Sequence, residues 1–352
     1  MELREYAVPE PEPGAIVLRT RMANVCGSDL HQWRGEFDVA AFGRPYPQIL
    51  GHEMTGEVHA LGAGVTTDTA GTSLRIGDRV VFRYFYPCGR CRACLRGATR
   101  ACPTARAYLL QSCDAPPHFT GAFGDYYYVF PGAAVFRVSD QLSDAAVAGI
   151  NCGVSQVVGG LQLAGVRVGD AVVIQGAGGL GVYASAVARE MGARRVIVLD
   201  AISERLRLAR AFGADEVVDV REGTAEERVR RVIELTGGWG ADVVVELVGH
   251  PRVVNEGLRM LGRTGRYLEI GNINPGVTYE LDPSLLVFRN ITMFGMVYYE
   301  AEHLRQALEL VLRTKDRYPW EKVASHTFPL ERINEAFADA DRGAVTRAAI
   351  VP

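Results

Sequence analysis

Four cysteines lie close together in the first half of the chain, at a spacing suited to holding a metal ion. They are Cys88, Cys91, Cys94 and Cys102, in the pattern C-x2-C-x2-C-x7-C. Four thiolates complete a tetrahedral shell with Zn–S distances of ~2.3 Å and leave no free position, so such a site is structural. An iron–sulfur cluster uses the same four ligands, but nothing in the chain suggests electron transfer. We therefore predict a structural zinc site in residues 88–102, which we call the four-cysteine lobe.

Two further cysteines and one histidine are spread along the chain. Cys26 opens the stretch Cys-Gly-Ser-Asp-Leu-His that ends at His31, His52 lies in Gly-His-Glu-Met-Thr-Gly, and Cys152 stands a hundred residues beyond it. One imidazole and two thiolates from distant positions, with a fourth position for water or substrate, describe a catalytic zinc. Spacing alone leaves open the alternative of separate core residues, as we expect for the remaining cysteine, Cys113.

A glycine-rich turn in the middle of the chain has the features of a phosphate-binding loop. Its sequence is Gly176-Ala177-Gly178-Gly179-Leu180-Gly181, a G-x-G-x-x-G between a predicted strand and a predicted helix. The first glycine permits a tight turn, the second lets the backbone approach a pyrophosphate, and the third lets the helix pack on the strand. Asp200 ends the next predicted strand, where a carboxylate accepts hydrogen bonds from an adenosine ribose and repels a 2′-phosphate. The pattern predicts NAD binding, and a purely structural turn followed by a capping aspartate is the alternative.

The elements that must position these residues change in character along the chain. Up to about residue 145, short predicted strands are separated by glycine and proline residues, which indicates an irregular, β-rich domain. From Asp170, apolar strands alternate with amphipathic helices, which predicts a parallel sheet covered on both faces. A strand over 291–297 and a helix over 301–313 lead into a tail that is again β-rich. The fold class is therefore α/β with a second, β-rich part.

Composition excludes several classes of protein. With 352 residues, 48% hydrophobic, 22% charged and a net charge of −3, the chain is neither disordered nor basic enough for a nucleic-acid binder, which argues against a zinc-finger interpretation of the lobe. Two uncharged runs, 145–166 and 171–188, are long enough for membrane spans, but they contain glycine and polar residues and are predicted to be core segments. The N-terminal residues lack the features of a secretory signal, so we expect a cytoplasmic protein without a membrane partner.

The motifs together resemble one family. Gly51-His52-Glu53-x-x-Gly56, continuing to Gly62 and Val65, with the Cys-Gly-Ser-Asp-x-His stretch, the lobe and the glycine turn, is similar to the zinc-dependent alcohol dehydrogenases of the medium-chain dehydrogenase/reductase superfamily. The resemblance covers nearly the whole chain. It implies a GroES-like catalytic domain over 1–153 with both zinc sites, a Rossmann NAD-binding domain over 154–290, and a return segment over 291–352 that completes the nucleotide sheet and the catalytic domain.

The resemblance also assigns roles to residues at matching positions. The implied ligands of the catalytic zinc are Cys26, His52 and Cys152, with Glu53 close enough to exchange onto the metal. Asp29 would orient the metal-bound His52, and Ser28 and His31 would relay the proton. The glycine turn, Asp200 and Arg205 would bind NAD. Residues 104–121, longer than expected after the lobe, would shape the substrate entrance.

The implied function is an NAD-dependent oxidoreductase with two zinc ions per chain that interconverts an alcohol and an aldehyde or ketone. A polyol or threonine-type amino-alcohol dehydrogenase is an alternative, although Cys152 stands where polyol dehydrogenases carry a carboxylate, which favours a simple or bulky alcohol. A non-catalytic relative that keeps zinc and NAD is a further alternative, but it would be expected to lose Ser28 or His31. We expect a small-molecule substrate and a homodimer or homotetramer. Candidate pocket residues are Trp33, Phe82, Tyr84, Tyr298 and Tyr299.

Overall fold

The chain forms two compact units in a computed structural model that describes residues 1–36, 40, 45–107 and 112–352. The first unit comprises Met1–Ser155 and Tyr299–Pro352, and the second comprises Gln156–Tyr298. The predicted boundaries were at residues 153 and 290. The second unit extends to Tyr298 because the strand that follows residue 290 belongs to its sheet. Residues 108–111, within the segment expected to shape the substrate entrance, lie outside the described residues.

The strands, in chain order, are β1 (Ile16–Asn24), β2 (Glu53–Leu61), β3 (Arg79–Phe82), β4 (Phe85–Tyr86), β5 (Arg106–Ala107), β6 (Tyr126–Val129), β7 (Val135–Arg137), β8 (Ala171–Gln175), β9 (Arg195–Asp200), β10 (Glu216–Asp219), β11 (Ala241–Glu246), β12 (Leu261–Glu269), β13 (Thr292–Gly295), β14 (His326–Pro329) and β15 (Ala348–Val351). The α-helices are α1 (Gly27–Trp33), α2 (Arg92–Leu95), α3 (Asp144–Val147), α4 (Ser155–Leu163), α5 (Gly179–Glu190), α6 (Ser203–Ala211), α7 (Ala225–Leu235), α8 (Val254–Met260), α9 (Ser284–Arg289), α10 (Ala301–Arg313) and α11 (Ile333–Asp341). Short 3₁₀ turns connect several of them, and a π-helical turn spans Ile150–Val154.

A mixed sheet is the framework of the first unit. Its strand order is β14-β15-β1-β2-β3-β7, and β6 also pairs with β1. Strand β1 pairs antiparallel with β2 on one side and with β6 and β15 on the other, so most of its residues are buried. Large side chains such as Phe82, Phe85 and Tyr127 fill the core, each contributing ~1.5–3 kcal/mol by burial. The ends of β1 and β2 thus form a rigid base for the loops that carry Cys26 and His52.

An all-parallel sheet forms the second unit. Its order is β10-β9-β8-β11-β12-β13, the doubly wound arrangement in which the strand order reverses between β8 and β11. All five residues of β8 are buried, as expected when helices cover both faces of a parallel sheet. The α/β fold class predicted from the sequence, with a GroES-like part and a Rossmann-type parallel sheet, is confirmed.

One helical run has the length and composition of a membrane span. It covers Asp144–Leu163, and 83% of its most apolar window is buried inside the protein. Such burial is typical of a core helix, as predicted for residues 145–166. The second uncharged run, 171–188, is divided between a strand and a helix and forms no continuous helix.

Candidate active site

Cys26, His52 and Cys152 come together in the first unit. One ligand atom from each lies within 4.8 Å of the others, and all three residues are buried. The Cys152 Sγ lies 3.3 Å from the His52 Nε2, close to the ~3.6 Å that a tetrahedral zinc with Zn–S of ~2.3 Å and Zn–N of ~2.0–2.1 Å would require. Two thiolates and one imidazole leave a fourth tetrahedral position open. The donor set therefore fits a zinc ion that can also bind a substrate.

A helix, a strand and a helical turn position these three residues. Cys26 is the N-cap of α1, His52 directly precedes β2, and Cys152 lies in the π-helical turn. Asn151 connects the turn that carries Cys152 to the segment that carries His52. Its side chain donates to the His52 carbonyl at 2.8 Å and accepts from the Met54 amide at 3.0 Å. Sequence analysis missed this role of Asn151, since its partner lies about a hundred residues away.

The Asp29 carboxylate orients the cluster. It is completely buried, and its Oδ2 accepts a hydrogen bond from the Cys26 amide at 2.9 Å while its Oδ1 accepts from the Gly51 amide at 3.3 Å. The same Oδ1 lies 3.4 Å from the His52 Nδ1. Because Nδ1 faces a carboxylate, it carries the proton, and Nε2 offers its lone pair towards the thiols.

The protonation of the cluster without metal is set by these contacts. Burial lowers the pKa of His52, but the charge and hydrogen bond of Asp29 outweigh it and raise that pKa to about 10. A hydrogen bond with Cys152 holds the pKa of Cys26 well below its ordinary value, and the same contact raises the pKa of Cys152 well above it. A cation must therefore displace protons from His52 and Cys152 to bind, as metal sites of this kind require.

Glu53 and Arg347 form a buried ion pair beside the cluster. The Glu53 carboxylate is fully buried, neither oxygen has a hydrogen-bond partner within the part of the chain that the structure describes, and its Oε1 lies 3.4 Å from an Arg347 guanidinium nitrogen. Burial raises the pKa of Glu53 to about 8, opposed by the charge of Arg347. Arg347 also donates to the Val25 carbonyl at 3.0 Å. A buried carboxylate with free lone pairs next to His52 is suited to approach a metal, whereas Arg347 carries no sequence motif and was missed.

Ser28 and His31 lie one turn apart on α1, so their side chains share a face of the helix. Ser28 is half-buried, and the His31 side chain is 19% exposed. The His31 Nδ1 lies 2.5 Å from a carboxylate oxygen of Glu36. This contact holds the pKa of Glu36 below its ordinary value. Ser28 and His31 therefore lie on one face of α1, and their role in a proton relay stays a prediction.

An aromatic wall faces His52. The Tyr84 ring lies 4.6 Å from the His52 ring, and Phe85 and Tyr299 pack edge to face behind it with 5.2 Å between their centroids. Tyr299 is buried, and its hydroxyl donates to the Asn151 carbonyl. Of the five aromatic residues expected at the pocket, Tyr84 contacts the cluster and Tyr299 supports it.

The other three aromatic residues have different surroundings. Phe82 is fully buried against Tyr127, and Trp33 packs on Phe337. Phe82 is therefore wrong as a wall residue, because β3 turns it into the sheet core. Trp33 ends α1, and its place in the pocket stays a prediction. Tyr298 belongs to the second unit.

The four cysteines of the lobe also converge. Their sulfur atoms lie within 4.8 Å of one another, and the Cys91 and Cys102 sulfurs are 3.9 Å apart, near the ~3.8 Å expected for tetrahedral ZnS₄. Backbone amides of Cys88, Cys91 and Cys94 each donate to a cysteine sulfur at 3.4 Å. Hydrogen bonding by the Thr104 side chain and backbone amides lowers the pKa of Cys88 to about 6, whereas burial and neighbouring thiols raise that of Cys94 to about 12. Four thiolates therefore need a cation between them, and the lobe fits zinc.

The lobe is anchored to the start of α10. Glu300 receives hydrogen bonds from the Arg100 amide and guanidinium at 3.1 Å and from the Thr99 hydroxyl. The buried Arg83 guanidinium donates to the same hydroxyl at 3.1 Å and lies over the Phe85 ring. The lobe is thereby connected to the aromatic wall within the first unit.

The glycine turn of the second unit is shaped by close approaches. A Cβ at Gly181 would lie 1.9 Å from the Gly176 carbonyl oxygen, and Gly176 adopts a left-handed φ of 95° with the Leu247 backbone 3.1 Å from its would-be Cβ. A Cβ at Gly178 would meet nothing within 4 Å, so the chain there is open to a ligand. Gly179 and Leu180 begin α5, whose N-terminal amides favour an anion.

Asp200 lies beside this turn at the end of β9. Its Oδ2 accepts from the Ala177 amide at 2.7 Å and its Oδ1 from the Ile202 amide at 2.8 Å, which leaves further lone pairs on both oxygens. Arg205 lies half-buried in the first turns of α6. The turn and the acid therefore meet at one carboxyl edge of the sheet, as the sequence predicted.

The chain is similar to known protein families, to individual proteins and to solved structures. Residues 12–140 match the alcohol dehydrogenase GroES-like domain, and residues 179–313 match the zinc-binding dehydrogenase family. The chain is 33% identical over 351 residues to 5-exo-hydroxycamphor dehydrogenase of Pseudomonas putida, covering 99% of this chain and 95% of that protein. It is 33% identical over 349 residues to an L-threonine 3-dehydrogenase of Saccharopolyspora erythraea, covering 97% and 93%. An alcohol dehydrogenase structure from Thermotoga maritima superposes with a TM-score of 0.92 at 29% identity, covering 99% and 95%.

Proposed function

The chain belongs to the zinc-dependent alcohol dehydrogenases of the medium-chain dehydrogenase/reductase superfamily, and we propose that it uses NAD and two zinc ions to interconvert an alcohol and an aldehyde or ketone. The observation that carries the proposal is the buried Cys26–His52–Cys152 cluster with its open fourth position. When bound there, zinc supplies Lewis acidity that lowers the pKa of the substrate hydroxyl, and NAD supplies the hydride acceptor. The four-cysteine lobe holds the second, structural zinc.

The residues of α1 move the proton. Ser28 accepts the hydroxyl proton of the substrate, and His31, one turn later, passes it to solvent. Glu36 contacts the His31 ring at Nδ1 and so fixes the orientation of the ring. Asp29 keeps His52 in the tautomer that the metal requires. Glu53, which is paired with Arg347, is the proposed residue that would exchange onto the metal.

NAD is proposed as the cofactor in preference to NADP. The glycine turn and the first amides of α5 bind the pyrophosphate, and the lone pairs left on the Asp200 carboxylate accept from the adenosine ribose. A 2′-phosphate would meet a fixed negative charge at this point. Arg205 contributes from α6 to the same ribose.

An apolar alcohol is the proposed substrate class. Tyr84 presents its ring next to His52, backed by Phe85 and Tyr299, so the wall of the open metal position is aromatic. The 33% identity to a hydroxycamphor dehydrogenase supports this choice. The equal identity to an L-threonine dehydrogenase makes a threonine-type amino alcohol the second candidate.

A homodimer or homotetramer in the cytoplasm is proposed as the working form. Strand β13 is a partly exposed edge of the parallel sheet, and the neighbouring α9 exposes Val287 and Phe288 by 71% and 75%. Exposed strand edges flanked by apolar side chains favour pairing with another chain. A second copy of this chain is the proposed partner, and its presence is tested by the molar mass in solution.

The function is tested on purified protein by following reduction of NAD and NADP with linear, branched, bicyclic, aromatic and polyhydroxy alcohols and with L-threonine. We expect turnover with NAD and an apolar alcohol, loss of turnover in Cys152→Ser, and two zinc ions per chain. A preference for L-threonine would select the second candidate. Absence of turnover with every substrate in the zinc-loaded protein would refute the catalytic proposal.

A further inference from the structure

Two carboxyl groups that take no part in the proposed mechanism meet at the carboxyl edge of the parallel sheet. Glu246 is the last residue of β11, Glu269 is the last residue of β12, and the two are paired in register. Glu246 is completely buried, and the Glu269 carboxyl lies beside it on the neighbouring strand. The Asn272 side-chain amide donates to both, at 3.1 Å and 3.0 Å. Two ionised carboxyls that share one donor in a buried site repel each other, which favours one shared proton between them.

The pair fixes the backbone that follows both strands. The Glu246 Oε1 accepts from the Val248 amide at 2.6 Å and the Gly249 amide at 2.8 Å. The Glu269 Oε1 accepts from the Asn272 amide at 3.3 Å. Each carboxyl therefore holds the loop after its own strand, and the Asn272 side chain, which donates to both carboxyls, couples the two loops.

One of these loops forms the side of the glycine turn. The Leu247 amide donates to the Gln175 carbonyl at 2.9 Å, and the Leu247 backbone lies 3.1 Å from the would-be Cβ of Gly176. Strands β8 and β11 flank the point where the strand order reverses, which is where open α/β sheets bind their ligands. A shift of residues 247–249 would therefore change the shape of the dinucleotide site.

We propose that Glu246 and Glu269 are a proton-sharing pair that positions the loops after β11 and β12 for dinucleotide binding. This inference rests on the proposed function, because the ligand is its cofactor. Neither residue is placed at reacting atoms, so both are positioning residues. When the proton is lost, two negative charges face each other in a buried site, and the coupling between the loops is broken.

Within the described ranges, neither carboxyl of the pair has a cationic side chain in ion-pair contact. Burial raises the pKa of Glu246 to about 9, the hydrogen bond and charge of Glu269 act in the same direction, and the amides of residues 248 and 249 oppose them. Tyr267 on β12 and Tyr279 after it face the carboxyls as neutral phenols, each with a raised pKa. On the loop after β11, the His250 Nδ1 accepts from the Arg252 amide. Among the described residues no ion pair to either carboxyl is formed.

The test is the dissociation constant of NADH, measured by its fluorescence from pH 7 to 10 in the wild-type holoenzyme and in Glu246→Gln, Glu269→Gln and Glu222→Gln. If only the protonated pair is competent, with a pKa of about 9, the competent fraction at pH 10 is about one tenth, and the wild type should bind about tenfold more weakly. The Glu246→Gln amide keeps an acceptor for residues 248 and 249 and donates to Glu269 at any pH, so its affinity should stay nearly constant. Glu222→Gln, an exposed control in the same unit, should follow the wild type.

A second measurement needs no cofactor. The pKa of Glu246 is raised in the folded chain above its ordinary value of 4.5, so the wild type loses stability as the pH rises from 4.5 towards 9. Glu246→Gln has no such proton, and its melting temperature relative to the wild type should rise over that range. A pH-independent wild-type affinity, or a Glu246→Gln affinity that falls as in the wild type, would overturn the inference. Absence of NADH and NADPH binding in the wild type would instead refute the proposed cofactor, and the positioning role with it.

Discussion

Replacing Asp29 by asparagine removes one charge and one acceptor from the base of the metal cluster while keeping the side-chain shape. In the folded chain the two carboxylate oxygens serve three donors, the amides of Cys26 and Gly51 and the Nδ1 of His52. An asparagine offers one oxygen and one amino group, so an amino group must face at least one of these buried N–H groups. If it faces His52, Nδ1 must become the acceptor and Nε2 takes the proton, which removes the lone pair that a metal needs.

The expected losses of zinc affinity and of folding stability follow from these three donors and the single oxygen that an asparagine offers them. Loss of the partner that orients a metal-bound histidine typically weakens metal affinity by ~10- to 100-fold, or about 1.4–2.7 kcal/mol. The unsatisfied donor costs a further ~1–3 kcal/mol of folding stability. Both effects fall on the cluster of Cys26, His52 and Cys152, and the four-cysteine lobe should be unaffected.

The assay is competition for zinc between the protein and a chromophoric chelator. We expect two zinc ions of high affinity in the wild type and, in Asp29→Asn, one of high affinity and one weaker by the factor above. The matched control is Asp68→Asn, because Asp68 is a buried carboxylate of the same unit that caps the Ala70, Thr72 and Arg137 amides without touching a cysteine. It should lose stability but retain both zinc ions. Equal zinc affinities in Asp29→Asn and wild type would contradict the orienting role of Asp29.

Three further changes separate the parts of the site. Cys91→Ser should lower stability and remove one zinc, whereas Cys152→Ser should abolish turnover with little loss of stability; identical behaviour in elemental analysis and melting curves would contradict the division into two sites. Glu36→Gln removes the carboxylate that contacts the His31 ring, so the ring is held less firmly and kcat should fall with KM little changed; an unchanged kcat would exclude the contact from the relay. Asp200→Gly should weaken NAD more than NADP in steady-state kinetics, and a wild-type preference for NADP would show that the acid does not select the cofactor.

The features that the sequence predicted best are those formed by residues close together in the chain. The glycine turn and Asp200 were predictable because a strand, a turn and a helix within a short segment fix where their residues lie. The four-cysteine lobe was predictable for the same reason, since its ligands need no distant partner. Phe82 was wrongly placed at the pocket because its strand turns it to the core, a direction that depends on the partner strand rather than on its neighbours.

The residues that sequence reasoning missed act across long separations. Asn151 is recognised only through its bonds to His52 and Met54. Arg347 is a single arginine in an apolar tail. Its pairing with Glu53 exists only after folding has brought these distant parts of the chain together. Neither residue type nor spacing distinguishes such residues from ordinary core or surface positions.

The pairing of β1 with β15 in the mixed sheet of the first unit has a consequence for biosynthesis. Ala23 on β1 is bonded in register to Ile350 on β15, so the first and last strands of the unit are neighbours. A ribosome releases β1 long before it makes β15, and a contact of such high sequence separation forms slowly because a very long loop must close. The second unit, made of one continuous segment, can fold while the first still waits for its last strand. The nascent chain would therefore expose the unpaired end of β1 at Ala23 and Asn24 until β15 is made, and a chain truncated before β15 would leave that end open permanently.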